Sequence, residues 1–236
     1  VGDDRGVVRV RGDVVFRPAA AWTPTVQSLL RHLVDQGLPV PEPLELTGTY
    51  EVVRLVPGDA GEQAWAHQAT LDGVRSAGRL LRLVHDATLS WCPPADAVWS
   101  VPVEGGPIVA HGDPKPPNMT WRGSRAVVLF DWDAARPASR LSDVAYALYW
   151  FTPFDVDEQE LGRRGLAPSV DARGRMEVFL DGYGWSDAVD LLAAIRERRR
   201  LAVNEVVHAA RMGRQPQATW LKDGIPPAWL QNPQMP

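Results

Sequence analysis

The chain has 236 residues, 45% of them hydrophobic and 10 of them Trp, which supports a substantial core and excludes a disordered polypeptide. With 25 basic against 29 acidic residues, a formal charge of −4 supplies no global basic field to draw it to nucleic acid. A single cysteine, Cys92, excludes an internal disulfide framework and a cysteine zinc cluster, while the lack of a bilayer-length apolar run and of a basic-then-apolar start predicts no membrane partner and a cytoplasmic location.

In chain order, Val7 to Val10 and Val14 to Arg17 alternate around Arg11-Gly12-Asp13, the pattern of a β-hairpin. Thr23-Pro24 then starts a helix whose apolar face is Val26, Leu29, Leu30, Leu33 and Val34 and which Gly37 stops. Pro39, Pro41 and Pro43 mark an extended connection, and Tyr50 to Val56 reads as the last strand of a small N-terminal lobe, closed by Pro57-Gly58. A long helix is predicted from about Gln63 to His85, with Gly78 permitting close packing. Leu89 to Gly106 is a Pro-rich loop. Ala126 to Phe130 is a buried strand preceded by a turn at Arg122-Gly123-Ser124-Arg125. Helices follow near Ser142 to Trp150, Gly174 to Gly182 and Asp187 to Met212, and a Pro-rich tail from Gly224 wraps the surface. No internal repeat is visible. With Lys only at 115 and 222 and a composition rich in Arg, Ala, Val and Pro, the chain suggests a GC-rich bacterial genome.

The chemistry concentrates in His111-Gly112-Asp113-Pro114-Lys115-Pro116-Pro117-Asn118, with Asp131 thirteen residues after Asn118 at the end of the apolar strand. Moving a γ-phosphoryl group needs a carboxylate to orient the acceptor hydroxyl, and an amide oxygen and second carboxylate to hold Mg²⁺ on the phosphates. Asp113, Asn118 and Asp131 suit those jobs in that order, with Asp133 a second metal candidate. The bland alternative is a loop with an unrelated Asx turn and a strand-end Asp.

This pattern, including Asp131-Trp132-Asp133 where kinases have Asp-Phe-Gly, resembles the aminoglycoside phosphotransferase family. The resemblance implies an α+β, protein-kinase-like two-lobe fold: a β-rich nucleotide-binding lobe over 1–57 and a mostly α-helical catalytic and acceptor-binding lobe over 58–236. It implies Mg²⁺, ATP or GTP as phosphoryl donor, and a small-molecule hydroxyl as acceptor. Leu55 and Val56 become candidate contacts for the nucleotide base. Asp143, in Leu141-Ser142-Asp143-Val144, would hold the backbone of the catalytic loop, or else cap a helix. His111 is read as a buried hydrogen-bonding scaffold, since a loose transition state needs little base strength beyond Asp113.

The chain also departs from that pattern. A strand Lys normally grips the α- and β-phosphates, yet the small lobe has no Lys, and Arg17 stands near the expected place with a permanent charge suited to phosphate. The helix that follows offers no obvious acidic partner for it. Gly2-Asp3-Asp4-Arg5-Gly6 makes a poor phosphate loop because its carboxylates repel phosphate. Lys115 matches a Lys of Ser/Thr protein kinases and is read as stabilising charge on the γ-phosphoryl oxygens. Asp155, Asp157, Glu158 and Glu160 could attract a polycationic acceptor or form a solvated helix start. Trp150, Phe151, Phe154 and Tyr183 could line an acceptor pocket or be core. His85 and His111 as zinc ligands form a third reading, opposed by the scatter of the five His. The two main readings are therefore a small-molecule kinase and a catalytically weak or inactive kinase-like protein that binds nucleotide or ligand in a regulatory or accessory role.

Overall fold

The computed structural model describes residues 8–154, 156–215 and 217–223. Val7, the Gly2-to-Gly6 segment, Asp155 and the tail from Gly224 lie outside the described residues.

The N-terminal part is an antiparallel sheet with order β1-β2-β4-β3. Strands β1 (Arg9–Arg11) and β2 (Val14–Pro18) form the hairpin, and Gly12 takes the left-handed conformation its turn requires (φ +60°). Strand β4 (Tyr50–Arg54) pairs with β2 in a register that sets Arg17 opposite Glu51. The Pro-rich connection is partly a strand: β3 (Pro43–Leu46) pairs with the outer side of β4, with an irregularity between Pro43 and Glu45. An edge position explains it, because Pro43 has no N–H to give to a ladder and an edge does not demand one. Helix α1 (Thr23–Asp35) buries Leu29 and Leu33 completely. It ends where Gly37 turns left-handed (φ +76°) and Leu38 N–H reaches back to Leu33 O at 2.9 Å, a closure that satisfies the last carbonyls.

The predicted helix over 63–85 is two elements. Gly61–Ala69 winds as a 3-10 segment, and helix α2 runs Leu71–Thr88. They separate at Thr70, whose extended backbone (φ −87°, ψ 147°) lets its hydroxyl accept from Gly73 N–H at 3.1 Å; the capping bond wins over helix continuation. Along α2, Val74, Ala77, Leu81 and Val84 form the buried stripe. At Gly78 an added Cβ would lie 2.3 Å from Phe179 O on helix α5 (Ala172–Tyr183), so the two backbones touch.

Two short antiparallel pairs flank the Asp113 and Asp131 segments. Strand β5 (Ile108–Ala110) pairs with β8 (Arg136–Ala138), and β6 (Met119–Arg122) forms a hairpin with β7 (Arg125–Leu129). The other helices are α3 (Arg140–Phe151), α4 (Glu158–Arg163), α6 (Leu191–Arg211) and α7 (Gln217–Lys222). One apolar core runs from Leu29 and Leu33 through Leu81, Leu129 and Trp132 to Leu148 and Ile195, joining the sheet-bearing part to the helical part. Among the described residues no helix is long and apolar enough to cross a membrane.

Candidate active site

The His111-Gly112-Asp113 turn follows β5 and is fastened from below by Asp143, in the first turn of α3. Asp143 Oδ2 accepts from His111 N–H at 2.7 Å and Oδ1 from Gly112 N–H at 2.8 Å. Helix α3 is capped by Ser139 instead, so Asp143 holds the loop and is not the cap. His85 Nε2 also lies 3.0 Å from Asp143 Oδ2; a carboxylate only accepts, so this nitrogen carries the hydrogen. Despite burial, bonds from His85 and the loop hold the Asp143 carboxyl down at about 2. The other His85 nitrogen meets Tyr183 OH at 2.8 Å, and Arg140 Nη1 donates to the same hydroxyl at 3.2 Å.

His111 is fully buried, with Nε2 donating to Phe130 O at 2.9 Å and Nδ1 accepting from Asp113 N–H at 3.2 Å. Burial lowers its pKa, so it sits as a neutral bracket between the Asp113 loop and the segment before Asp131. With both nitrogens of His85 and of His111 committed, the two do not form a zinc pair. Gly112 is required here: its φ is +84°, and a Cβ would fall 2.2 Å from Ala134 O.

Asp113 carries two cationic or amide donors on one oxygen. Lys115 Nζ lies 2.7 Å and Asn118 Nδ2 2.8 Å from its Oδ2, while Oδ1 is buried and makes no hydrogen bond among the described residues. Asn118 closes a single 3-10 turn begun by Pro116 and Pro117, and its carbonyl accepts from Phe130 N–H at 3.0 Å. That backbone bond brings Asn118 beside Asp131. Because its side-chain nitrogen is spent on Asp113, the amide oxygen is the atom left for a cation.

Asp131 is the non-glycine residue among those described with positive φ (65°, ψ 60°), a conformation that costs energy and clusters at functional sites. Trp132 explains how it is held, since its ring is buried edge-on against His111 at 4.8 Å and its Nε1 donates to Leu129 O at 2.9 Å. With Trp132 anchored in the core, Asp131 and Asp133 turn toward the cleft. Arg17 Nη2 lies 3.0 Å from Asp131 Oδ1 and 3.0 Å from Asp133 Oδ2. Enclosure in the cleft raises the Asp131 carboxyl above its ordinary range; Arg17 pulls it back, and Asp133 and Asp113 add to the rise.

A cleft of about 580 Å³ is lined by Asp113, Lys115, Asp131 and Asp133 together with Tyr146 and Glu205. Among the described residues no group of three or more His, Cys, Asp or Glu is spaced to hold a metal. The donor set nevertheless suits a hard cation that keeps most of its shell from water and phosphate, and the Arg17 nitrogen between two carboxylates marks where positive charge is favoured.

Sequence reasoning did not identify Glu51, Glu205, Arg136 or Arg198. Arg136 and Arg198 are 0% and 2% exposed. Arg136 Nη1 donates to Ala134 O at 3.0 Å and Arg198 Nη2 to Gly112 O at 2.9 Å, and both reach Glu205, at 2.8 and 3.2 Å. They tie the loops of Asp131 and Asp113 to α6. Arg198 lies in a run of arginines that looks like a solvated face; only the Glu seven residues on hints at its role.

Other expected residues sit elsewhere. Leu55 and Val56 leave β4 half-buried, outside the residues lining this cleft, and Leu55 N–H is committed to Asp13 O at 2.8 Å. Asp157 caps α4 and Glu160 pairs with Arg163 and Arg164, whose hydrogen bonds pull its carboxyl to about 2. That is a helix start, not part of the cleft. Trp150, Phe151 and Tyr183 are core.

A family model described as the phosphotransferase enzyme family matches residues 7–99 and 95–179. A trifolitoxin immunity protein from Rhizobium leguminosarum bv. trifolii is 31% identical over 195 residues, covering 78% of this chain and 73% of that protein. Among solved structures, a macrolide 2'-phosphotransferase from Brachybacterium faecium superposes with a TM-score of 0.57 at 15% identity, covering 92% of this chain and 85% of that one. An aminoglycoside phosphotransferase from Streptomyces rimosus gives a TM-score of 0.54 at 16% identity, with 81% and 85% covered. At these identities the structural likeness carries the fold alone, an α+β arrangement.

Proposed function

The chain belongs to the phosphotransferase enzyme family and has its kinase-like α+β fold; from that premise we propose an Mg²⁺-dependent transfer of the γ-phosphoryl group of ATP or GTP to a hydroxyl of a small molecule. The observation that carries this reading is that Asp113, Lys115, Asp131 and Asp133 line one cleft while Asp113 keeps one oxygen unclaimed.

In this mechanism Asp113 Oδ1 accepts the proton of the acceptor hydroxyl. The acceptor oxygen bonds to the γ-phosphorus as the bond to the β–γ bridging oxygen breaks, and a nucleoside diphosphate leaves. Lys115 faces the γ-phosphoryl oxygens as charge shifts there. Asp131 and the amide oxygen of Asn118, with Asp133 in reserve, would hold Mg²⁺, which when bound neutralises phosphate charge. Arg17 takes the α- and β-phosphates in place of a Lys. Residues 1–57 would form the nucleotide-binding lobe, with Leu55 and Val56 against the base, and 58–236 the catalytic and acceptor-binding lobe. A cytoplasmic location suits a consumer of nucleoside triphosphate.

The relative named as a trifolitoxin immunity protein favours an acceptor that is a toxin or antibiotic. The test is phosphoryl transfer from ATP and GTP, with Mg²⁺, to a panel of hydroxylated antibiotics, sugars and amino alcohols. A chain that binds Mg²⁺–nucleotide or a member of the panel yet transfers to nothing would favour the accessory role; one that binds neither nucleotide nor any member of the panel would end both readings.

A further inference from the structure

Arg17 and Glu51 face each other across β2 and β4, with Nη1 and Oε1 3.4 Å apart. Glu51 is 3% exposed, and its second oxygen accepts from Gln27 Nε2 on α1 at 3.1 Å. Gln27 is itself fully buried, and its own oxygen accepts from Arg31 Nη2 at 2.9 Å. In protein kinases the carboxylate that steadies the phosphate-gripping Lys comes from a helix. Here an adjacent strand supplies the carboxylate, and the helix contributes an amide that fixes it.

The other end of the Arg17 guanidinium is shared by Asp131 and Asp133. A divalent cation at Asp131 competes with that guanidinium for the same oxygens, since like charges disfavour one another in a single site. Glu51 stands outside the contest. We propose that Glu51 is a positioning residue: it retains Arg17 beside the nucleotide phosphates once a cation takes Asp131, and Gln27 fixes the orientation of its carboxylate. This rests on the reading of Arg17 as a phosphate-binding residue. Because both charged members lie in one sheet, strand register sets the pair, and α1 adds the amide that orients the carboxylate.

The test measures the Kd of Mg²⁺–ATP and Mg²⁺–GTP without acceptor, together with Tm, for the unmodified chain, Glu51→Gln, Arg17→Ala and the double variant. Loss of a charge-assisted partner predicts that Glu51→Gln weakens binding about tenfold. Arg17→Ala weakens it at least as much, and the double variant is no weaker than Arg17→Ala alone, the signature of residues acting as one unit. Gln27→Leu, which leaves both charges in place, gives a smaller loss in the same direction and serves if Glu51→Gln does not fold. An unchanged Kd in Glu51→Gln, or losses that simply add in the double variant, would overturn the pair while leaving the nucleotide site standing. Failure of the unmodified chain to bind either nucleotide would overturn the reading of Arg17 as well.

Discussion

Asn118 donates its side-chain N–H to Asp113 Oδ2 at 2.8 Å, so the residue assigned to the cation also orients the residue assigned to the acceptor. With Lys115 on the same oxygen, Oδ1 is the buried oxygen without a hydrogen bond among the described residues, and the proposed mechanism gives it the substrate proton. Asp113→Asn removes the acceptor but not the shape. Turnover is expected to fall about 10²- to 10⁴-fold, the range for loss of a general base, with nucleotide Kd little changed. A variant that retains full turnover in a steady-state assay would show that another group takes the proton.

Asp143 carries the loop from beneath and is 1% exposed. Replacing it with Ala leaves His111 N–H, Gly112 N–H and His85 without their acceptor. Removing one partner from a buried charged set costs roughly 3–5 kcal/mol, so Asp143→Ala should unfold at far lower denaturant concentration. Asp143→Asn, which keeps one acceptor, should lose less. Equal midpoints for both variants and the unmodified chain in urea would contradict this.

The same network sets a pH dependence. The folded Asp143 carboxyl sits at about 2 against about 4 in an unfolded chain, so its contribution is complete above pH ~4 and is lost as pH falls toward ~2. His111 is depressed by burial; protons favour the unfolded chain below its ordinary value of about 6.5, and stability falls with pH from there. Tm should therefore decline on acidification from neutrality, with a further drop below pH ~4 that Asp143→Asn diminishes. A flat Tm from pH 7 to 3 would be incompatible with these two buried groups.

Much of this site is legible in eight consecutive residues because the catalytic loop is local: His111, Asp113, Lys115 and Asn118 meet one another through short-range bonds. Asp131 is readable as the residue after a strand. Glu51 is not, because its role depends on which residue of β4 lies opposite Arg17, a matter of register. Arg136 and Glu205 are 69 residues apart and look like surface charges until β8 and α6 are packed together. The short strand that begins at Pro43 reads as a connection because Pro signals a break, whereas edge pairing tolerates it. Thr70 lies within the stretch expected to be a single helix, and its cap splits it.

Gly112→Ala isolates loop geometry from chemistry. A Cβ there meets Ala134 O at 2.2 Å and Arg136 Nη1 at 2.8 Å, at a φ that L-residues avoid. Overpacking of this kind costs about 1–3 kcal/mol, and the strain should push the Asp113 loop off the Asp131 segment. Activity is expected to fall more steeply than Tm. By contrast Gly123→Ala, at a similar φ with nothing nearby, should lower Tm slightly and leave turnover intact. Equal effects of the two substitutions on turnover would mean that loop contact at Gly112 is not what matters.

Lys115 separates the two jobs that one cation can do at this site. Its Nζ lies 2.7 Å from Asp113 Oδ2 and stands 5.9 Å from the Trp150 ring centre, so it is braced on one side by charge and on the other by an aromatic face. If it only braces Asp113, Lys115→Met leaves a carboxylate still held by Asn118, and turnover changes little. If it also faces the transferring group, the developing charge loses its partner and kcat falls about 10- to 100-fold, as for removal of a transition-state donor. Binding of the triphosphate is expected to stay near its original Kd, because the proposed mechanism gives the ground-state phosphate charge to Arg17 and the cation. Lys115→Arg keeps the charge but spreads it over a planar fork, so a partial recovery of kcat is expected. Turnover in Lys115→Met equal to that of the unmodified chain would leave the residue with its bracing role alone.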